Sequence, residues 1–216
     1  MLEAVIFDKD GVLVNSVPVY YEATRRAFAE FGYSLTREKY VGHWTNQLAT
    51  TEEFIRKNRL HMDPAAVGEL KHEFIHKLAA QIKMMPFAEE LLRSLQGRGF
   101  KKALVSSDNN ARIYDQLEFF GLRIYFDTVF SGPKSIRGLP NPAAYGLACE
   151  EFLDVDPANA VVIEDSPMGA ESARLAGCKV IFFPNGFTAD MKYARADAVV
   201  HGLNEVTPEL LERLVG

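Results

Sequence analysis

Residues 4–13 read AVIFDKDGVL. Four apolar, largely β-forming residues, Ala4–Phe7, give way abruptly to Asp8, Lys9, Asp10 and Gly11. A run this short and this apolar fits a strand buried on both faces, ended by a turn, better than it fits a helix. Two carboxylates two residues apart at the end of such a strand repel each other unless a cation or a ligand meets them there. The fold therefore depends on whether other strands end in the same place.

Five further runs have the same character: Ala103–Ser106, Thr128–Phe130, Ala160–Ile163, Lys179–Phe183 and Ala198–Val200. Amphipathic stretches predict helices between them, over Pro86–Gln96, Ala111–Phe120, Asn141–Phe152 and Pro167–Ala176, with Gly97, Gly121 and Gly177 as stop signals. Strand and helix in alternation predict an α/β fold: a mostly parallel sheet with helices on both faces. The rhythm fails once, between the first strand and the second. Residues 16–84 hold helical stretches at Val19–Phe31, Asn46–Lys57 and Pro64–Ile82, and no convincing strand. The expected organisation is a core of residues 1–15 and 85–216 with an inserted α-helical cap at 16–84.

The chain has 216 residues, enough for one substantial core with an insertion. Its net charge of −5 gives no electrostatic case for nucleic acid or an anionic membrane as partner. No apolar run approaches the length of a membrane span, and the N-terminal run meets a charge at Asp8 too early for a signal peptide. The two cysteines, Cys149 and Cys178, lack metal-type spacing and read as small core residues. A cytoplasmic monomer is expected.

In an open parallel sheet, ligands bind beyond the carboxyl ends of the strands. Asp8 and Asp10 follow the first strand there; Ser106, Ser107 and Asp108 the second; Ser131, Gly132 and Lys134 the third; Glu164, Asp165 and Ser166 the fourth. Clustered carboxylates with oxygen-only donors point to Mg²⁺ rather than zinc. Hydroxyls and turn N–H groups, such as those at Ser106, Ser107 and Gly11, suit phosphate. A carboxylate beside a metal-bound phosphate can attack phosphorus, and a second can move the protons.

These residues resemble the haloacid dehalogenase-like superfamily, in the subgroup with a helical cap after the first strand, which includes phosphatases and β-phosphoglucomutase-like enzymes. "DKDGVLVNS" (8–16), "LVSSD" (104–108) and "VVIEDSPMGAESARLAG" (161–177) carry the resemblance. It implies a Rossmann-like core and a Mg²⁺-dependent phosphatase of small phosphorylated metabolites, working through an aspartyl-phosphate. Asp8 is similar to the family nucleophile and metal ligand, and Asp10 to the acid/base whose carbonyl also binds metal. Ser106 matches the phosphate-binding hydroxyl, Asp165 a further metal ligand, and Glu164 its support.

One family position departs. Leu139 in "RGLPNPAAY" (137–145) stands where a lysine is usual. Lys134, five residues earlier, and Arg137 are the candidates to replace it. Without a replacement the chain reads as a catalytically weak phosphometabolite-binding homologue. Tyr20 stands where the mutase branch has a cap histidine, which weighs against a sugar-phosphate mutase. His43 and Trp44 read equally as substrate contacts or as cap packing, and Asn185, Gly186 and Phe187 as loop structure.

Overall fold

A computed structural model describes residues 1–136 and 139–216. Strand β1 (Ala4–Asp8) is buried along its whole length, as its unbroken apolar run requires. β2 (Val14–Asn15) follows a tight turn and leads into helix α1 (Val17–Ala29). Three more helices build the insertion: α2 (Arg37–Tyr40), α3 (Thr51–Lys57) and α4 (Pro64–Leu78). β3 (Lys83–Met84) then pairs antiparallel with β2, Val14 opposite Met84 and Asn15 opposite Lys83. The chain returns to the core through α5 (Ala88–Ser94), β4 (Lys101–Ser106), α6 (Asn110–Phe119) and β5 (Thr128–Ser131). A hairpin of β6 (Ser135–Ile136) and β7 (Leu139–Pro140) precedes α7 (Ala143–Leu147). β8 (Ala160–Glu164), α8 (Pro167–Leu175), β9 (Lys179–Phe182), β10 (Ala198–Val199) and α9 (Pro208–Val215) complete it.

Six strands form one parallel sheet in the order β10-β9-β8-β1-β4-β5, which puts β1 in the middle. The side-chain alternation of a strand divides its residues between two layers. Val5 and Phe7 meet Leu92, Ile113 and Leu117 on one face, while Ala4 and Ile6 meet Tyr145, Cys149 and Ala173 on the other. Cys149 and Cys178 are buried free thiols in the second layer. The cap has its own core, in which Phe28, Tyr40, Trp44 and Phe54 pack edge to face or stacked. No helix of the described residues is long and apolar enough to cross a membrane.

The six sheet strands stand where the sequence puts them. Three local expectations do not hold. The helix expected over Asn46–Lys57 starts only at Thr51, because Thr50 caps it: its hydroxyl accepts from Glu53 N while the Glu53 carboxylate accepts from Thr50 N. Residues Val41–Thr45 form a wide π-type turn instead. The helix expected over Asn141–Phe152 is α-helical only over Ala143–Leu147 and widens to a π-type turn over Ala148–Leu153. The insertion also holds a strand that was not anticipated, β3, which two residues of alternation are too few to announce.

Candidate active site

Register brings the acidic groups together. Phe7 lies opposite Ile163 and Asp8 opposite Val105, so Asp8, Glu164 and Ser106 end three adjacent strands at one edge. Asp8, Glu164 and Asp165 are buried, and their carboxylate oxygens approach within 4.8 Å of one another. Lys134 enters this cluster from the loop after β5. Its ammonium donates to Asp8 Oδ1 and, at 2.7 Å, to Glu164 Oε1. Three backbone bonds fix it there: Lys134 N donates to Ser107 Oγ at 3.3 Å, and its carbonyl accepts from Asn141 N at 2.8 Å and from the Ser172 hydroxyl. The other candidate, Arg137, lies outside the described residues.

Burial sets the charge states in part. Loss of water pushes the Asp8 carboxyl up to about 7 even with Lys134 beside it, and Glu164 and Asp10 push the same way. Asp165 is driven well above the usual carboxylate range by burial and by the charges of Asp8 and Glu164. Glu164 is also raised by burial, but Lys134 and the hydrogen bonds of Ser166 and Tyr145 overcome this and hold it below its ordinary value. Both Glu164 oxygens are filled. Oε1 accepts from Lys134 and from Tyr145 OH at 2.7 Å, and Oε2 accepts from Ser166 N and Oγ, each at 3.0 Å.

Gly11 makes the turn possible. Its φ is +92°, and a Cβ there would lie 2.2 Å from Asp165 Oδ2. Asn185, from the loop after β9, donates its amide to both Asp165 Oδ2 at 2.7 Å and Gly11 O at 3.0 Å, joining the two motif turns.

Asp10 is more open. The Ser16 hydroxyl donates to its Oδ1, and Ser106 Oγ lies 3.5 Å from its Oδ2. Ser106 and Ser107 precede the N-terminus of α6, whose cap is Asn109, with Oδ1 accepting from Arg112 N at 2.9 Å. Ser106 Oγ accepts from Asp108 N at 3.1 Å and Ser107 Oγ from Lys134 N. Among the described residues this leaves the Ser107 O–H as a free donor for an anion at a helix start, while that of Ser106 points to Asp10. Beside them runs a second polar network. The fully buried Lys9 donates to Gln116 Oε1 at 2.7 Å and to Asp108 Oδ2 at 2.9 Å, and lies 3.3 Å from Asp10 Oδ2. Tyr20 of α1 donates to Asp108 Oδ2 at 3.1 Å and accepts from Gln116 Nε2 at 3.1 Å. Burial and the nearby carboxylates raise the Tyr20 hydroxyl far above its ordinary value.

A cavity of about 240 Å³ opens over these groups. Asp8, Asp10, Ser106, Ser107, Lys134 and Asp165 line its core side; Tyr20, Tyr40, Trp44, Thr45 and Lys71 line the cap side. Trp44 therefore both packs and faces the cavity. His43 is buried instead, with Nε2 paired to Thr50 O at 2.7 Å. The sequence reading brought Asp8, Asp10, Gly11, Ser106, Ser107, Lys134, Glu164 and Asp165 to one edge. It passed over Tyr145, Asn185, Ser16 and Lys9. Asn185 was read as loop structure, whereas its side chain bridges two site turns. Lys9, a cation between the two aspartates that end the first apolar run, was the one signal available.

A parallel α/β core with a carboxylate–lysine cluster at its strand ends, under a helical cap, defines a capped α/β enzyme built for phosphoryl groups. The family model of the haloacid dehalogenase-like hydrolases matches residues 5–183, and the chain belongs to that family. With it the chain joins the phosphoric monoester hydrolases. It is 31% identical over 209 residues to the phosphorylated carbohydrates phosphatase of Thermotoga maritima, covering 94% of this chain and 88% of that one. It is 27% identical over 215 residues to the phosphoglycolate phosphatase of Nitrosospira multiformis, covering 95% and 94%. The crystal structure of CbbY from Rhodobacter sphaeroides in complex with phosphate superposes with a TM-score of 0.81 at 27% identity, over 98% of this chain and all of that one.

Proposed function

We propose that the protein is a Mg²⁺-dependent phosphatase of small phosphorylated metabolites, working through an aspartyl-phosphate on Asp8. The observation that carries this reading is the buried Asp8–Lys134–Glu164 cluster at the floor of a cavity between core and cap. Lys134 supplies the cation that Leu139 does not, and this favours turnover over a merely binding homologue.

The donor set fits the metal. Three buried carboxylates face one ammonium, a deficit of positive charge that a hard divalent cation corrects. Asp8, Asp165 and the Asp10 carbonyl would hold it. Glu164, its oxygens occupied by four donors, would contribute charge rather than a bond. Bound there, Mg²⁺ would neutralise charge on the phosphoryl oxygens.

Asp8 attacks phosphorus while Ser106, Ser107, the turn at Gly11 and Lys134 hold the phosphoryl oxygens. Asp10 gives its proton to the departing alcohol oxygen, then takes one from the water that cleaves the aspartyl-phosphate. The reading assigns residues 1–15 and 85–216 to the catalytic core and 16–84 to a cap that excludes water. One chain holds every group required, which fits a monomer. Tyr20 favours a hydrolase over a mutase: its hydroxyl is engaged by Asp108 and Gln116.

The test is phosphate release from a panel of phosphomonoesters, including an aryl phosphate, with Mg²⁺ and with chelator. Metal-dependent release that disappears in Asp8→Asn is the expected result. Full turnover by Asp8→Asn would refute the reading.

A further inference from the structure

The cavity has two electrostatic ends. At one, Asp8, Glu164, Asp165 and Lys134 act on one another. Lys71 of α4, Arg112 of α6 and Asp108 line the same cavity away from that cluster. Cations outnumber anions at this second end. Asp108 already has Lys9 at 2.9 Å and Arg112 at 2.6 Å. Lys71 adds a further charge and, among the described residues, has neither an ion pair nor a hydrogen bond for its ammonium. Arg112 spends one nitrogen on Asp108 Oδ1 and keeps other N–H groups free.

Trp44 Nε1 is, among the described residues, the only buried side-chain nitrogen or oxygen with no hydrogen-bond partner, and Trp44 lines the cavity. Buried donors normally have acceptors, but this nitrogen is closed off from solvent, so the charge of the cavity rather than Trp44 decides what fills it. A neutral polyol can accept from Lys71 and Arg112 but leaves the excess cation uncompensated. A carboxylate or phosphate brings acceptors only, with the counter-charge that Lys71 lacks and that Arg112 shares with Lys9 at Asp108.

We infer that the substrate carries a second anionic group, remote from the ester cleaved at Asp8, received between Lys71 of the cap and Arg112 of the core. The inference rests on the phosphatase reading and narrows its substrate class to phosphomonoesters with a distal carboxylate or second phosphate. The depressed basicity of Lys71, pushed down to about 8 by burial and by Arg112, fits a cation held ready without its counter-ion. Because one cation comes from the cap and one from the core, such a group also ties the two together when it binds.

The experiment uses esters matched except at the far end: 3-phosphoglycerate against glycerol 3-phosphate for a carboxylate, and a hexose 1,6-bisphosphate against the hexose 6-phosphate for a second phosphate. An aryl phosphate serves as common control. The wild type is expected to prefer the anionic member of at least one pair by tenfold or more in kcat/KM; which pair responds separates the two sources. Lys71→Gln should lower that ratio about tenfold, through KM, as expected for one lost charge-assisted hydrogen bond, and Lys71→Arg should restore it. Equal or better turnover of both neutral members overturns the inference, and so does an unchanged ratio in Lys71→Gln. If none of the esters, the aryl phosphate included, releases phosphate, the phosphatase reading itself falls and takes this inference with it.

Discussion

Replacing Lys134 by Met keeps most of the length of the side chain and removes the ammonium, with its charge and its hydrogen bonds to Asp8 and Glu164. Lys134, Asp8 and Glu164 are each at most 5% exposed. Removing one partner of a buried ion pair costs about 3–5 kcal/mol, because the remaining charge is left without compensation. Two charge-assisted hydrogen bonds at about 1.5–3 kcal/mol each lead to a similar figure. The loop itself should survive, since its bonds to Ser107, Asn141 and Ser172 use backbone atoms of Lys134. At about 2–4 °C per kcal/mol for a protein of this size, the midpoint of thermal unfolding should fall by roughly 6–20 °C. The same exchange at Lys77, an exposed partner of Glu73, is the control and should cost under about 1 kcal/mol. Mg²⁺ should return part of the lost stability by bringing positive charge to the same carboxylates. Turnover should fall about 10²–10³-fold, the scale for losing one preorganised electrostatic contact to the reacting group. Thermal melts with and without Mg²⁺, together with phosphate release, measure all of this. A Lys134→Met protein that melts with the wild type and turns over at its rate would refute the placement of the lysine and the reasoning built on it.

Ser106→Ala should weaken inhibition by inorganic phosphate and lower kcat/KM by roughly ten- to hundredfold, the value of one hydrogen bond to a charged group; steady-state kinetics with phosphate as inhibitor reads it. Gly169→Ala would put a Cβ 2.0 Å from Glu164 Oε1, the oxygen shared by Lys134 and Tyr145. It should cost about 1–3 kcal/mol, as overpacking does, and reduce activity as well, checked by denaturant unfolding and phosphate release. The preference for an anionic far end should fade as pH rises through about 8, because Lys71 is charged below that value and neutral above it. Of the groups facing Lys71, Arg112 stays cationic, Asp108 is held ionised by Lys9 and Arg112, and His72 is pushed below its ordinary value by burial and by Arg112, so none gains charge there. The ratio of kcat/KM within a matched pair against pH tests this, and Lys71→Arg should flatten the curve.

The sheet was legible because its strands are buried on both faces and so read as unbroken apolar runs. Asp8, Asp10, Glu164 and Asp165 were legible for the same reason, as charges that end such runs. Lys134 was one of two candidates, with Arg137, for the cation missing at Leu139; charge balance called for a cation in that loop without choosing between them. Asn185 and Tyr145 could not be read in this way. Asn185 acts across the sheet from the loop after β9, and Tyr145 reaches Glu164 from a helix on one face, so their roles exist only once the layers are packed. In the cap, Thr50 and Glu53 held a capping signature that moved the start of α3, while the Val41–Thr45 turn packs Trp44 against aromatics from other segments, Phe28 and Phe54.

The paired strands β2 and β3 have a consequence for how such a chain diversifies. Val14 faces Met84 and Asn15 faces Lys83, so the insertion leaves the core and rejoins it at a single point. The sheet closes its register from residues on either side of that point and takes no strand from between them. With the ends already joined, the length of the intervening chain matters little: each doubling of a flexible loop adds only about 0.6 kcal/mol. A foreign helical module spliced at this neck keeps Asp8, Lys134, Glu164 and Asp165, while the wall that holds Lys71 and Trp44 is replaced, and with it the bonds of Ser16 to Asp10 and of Tyr20 to Asp108. Grafting caps between relatives is then a route to new selectivity that leaves the Asp8–Lys134–Glu164 cluster in place.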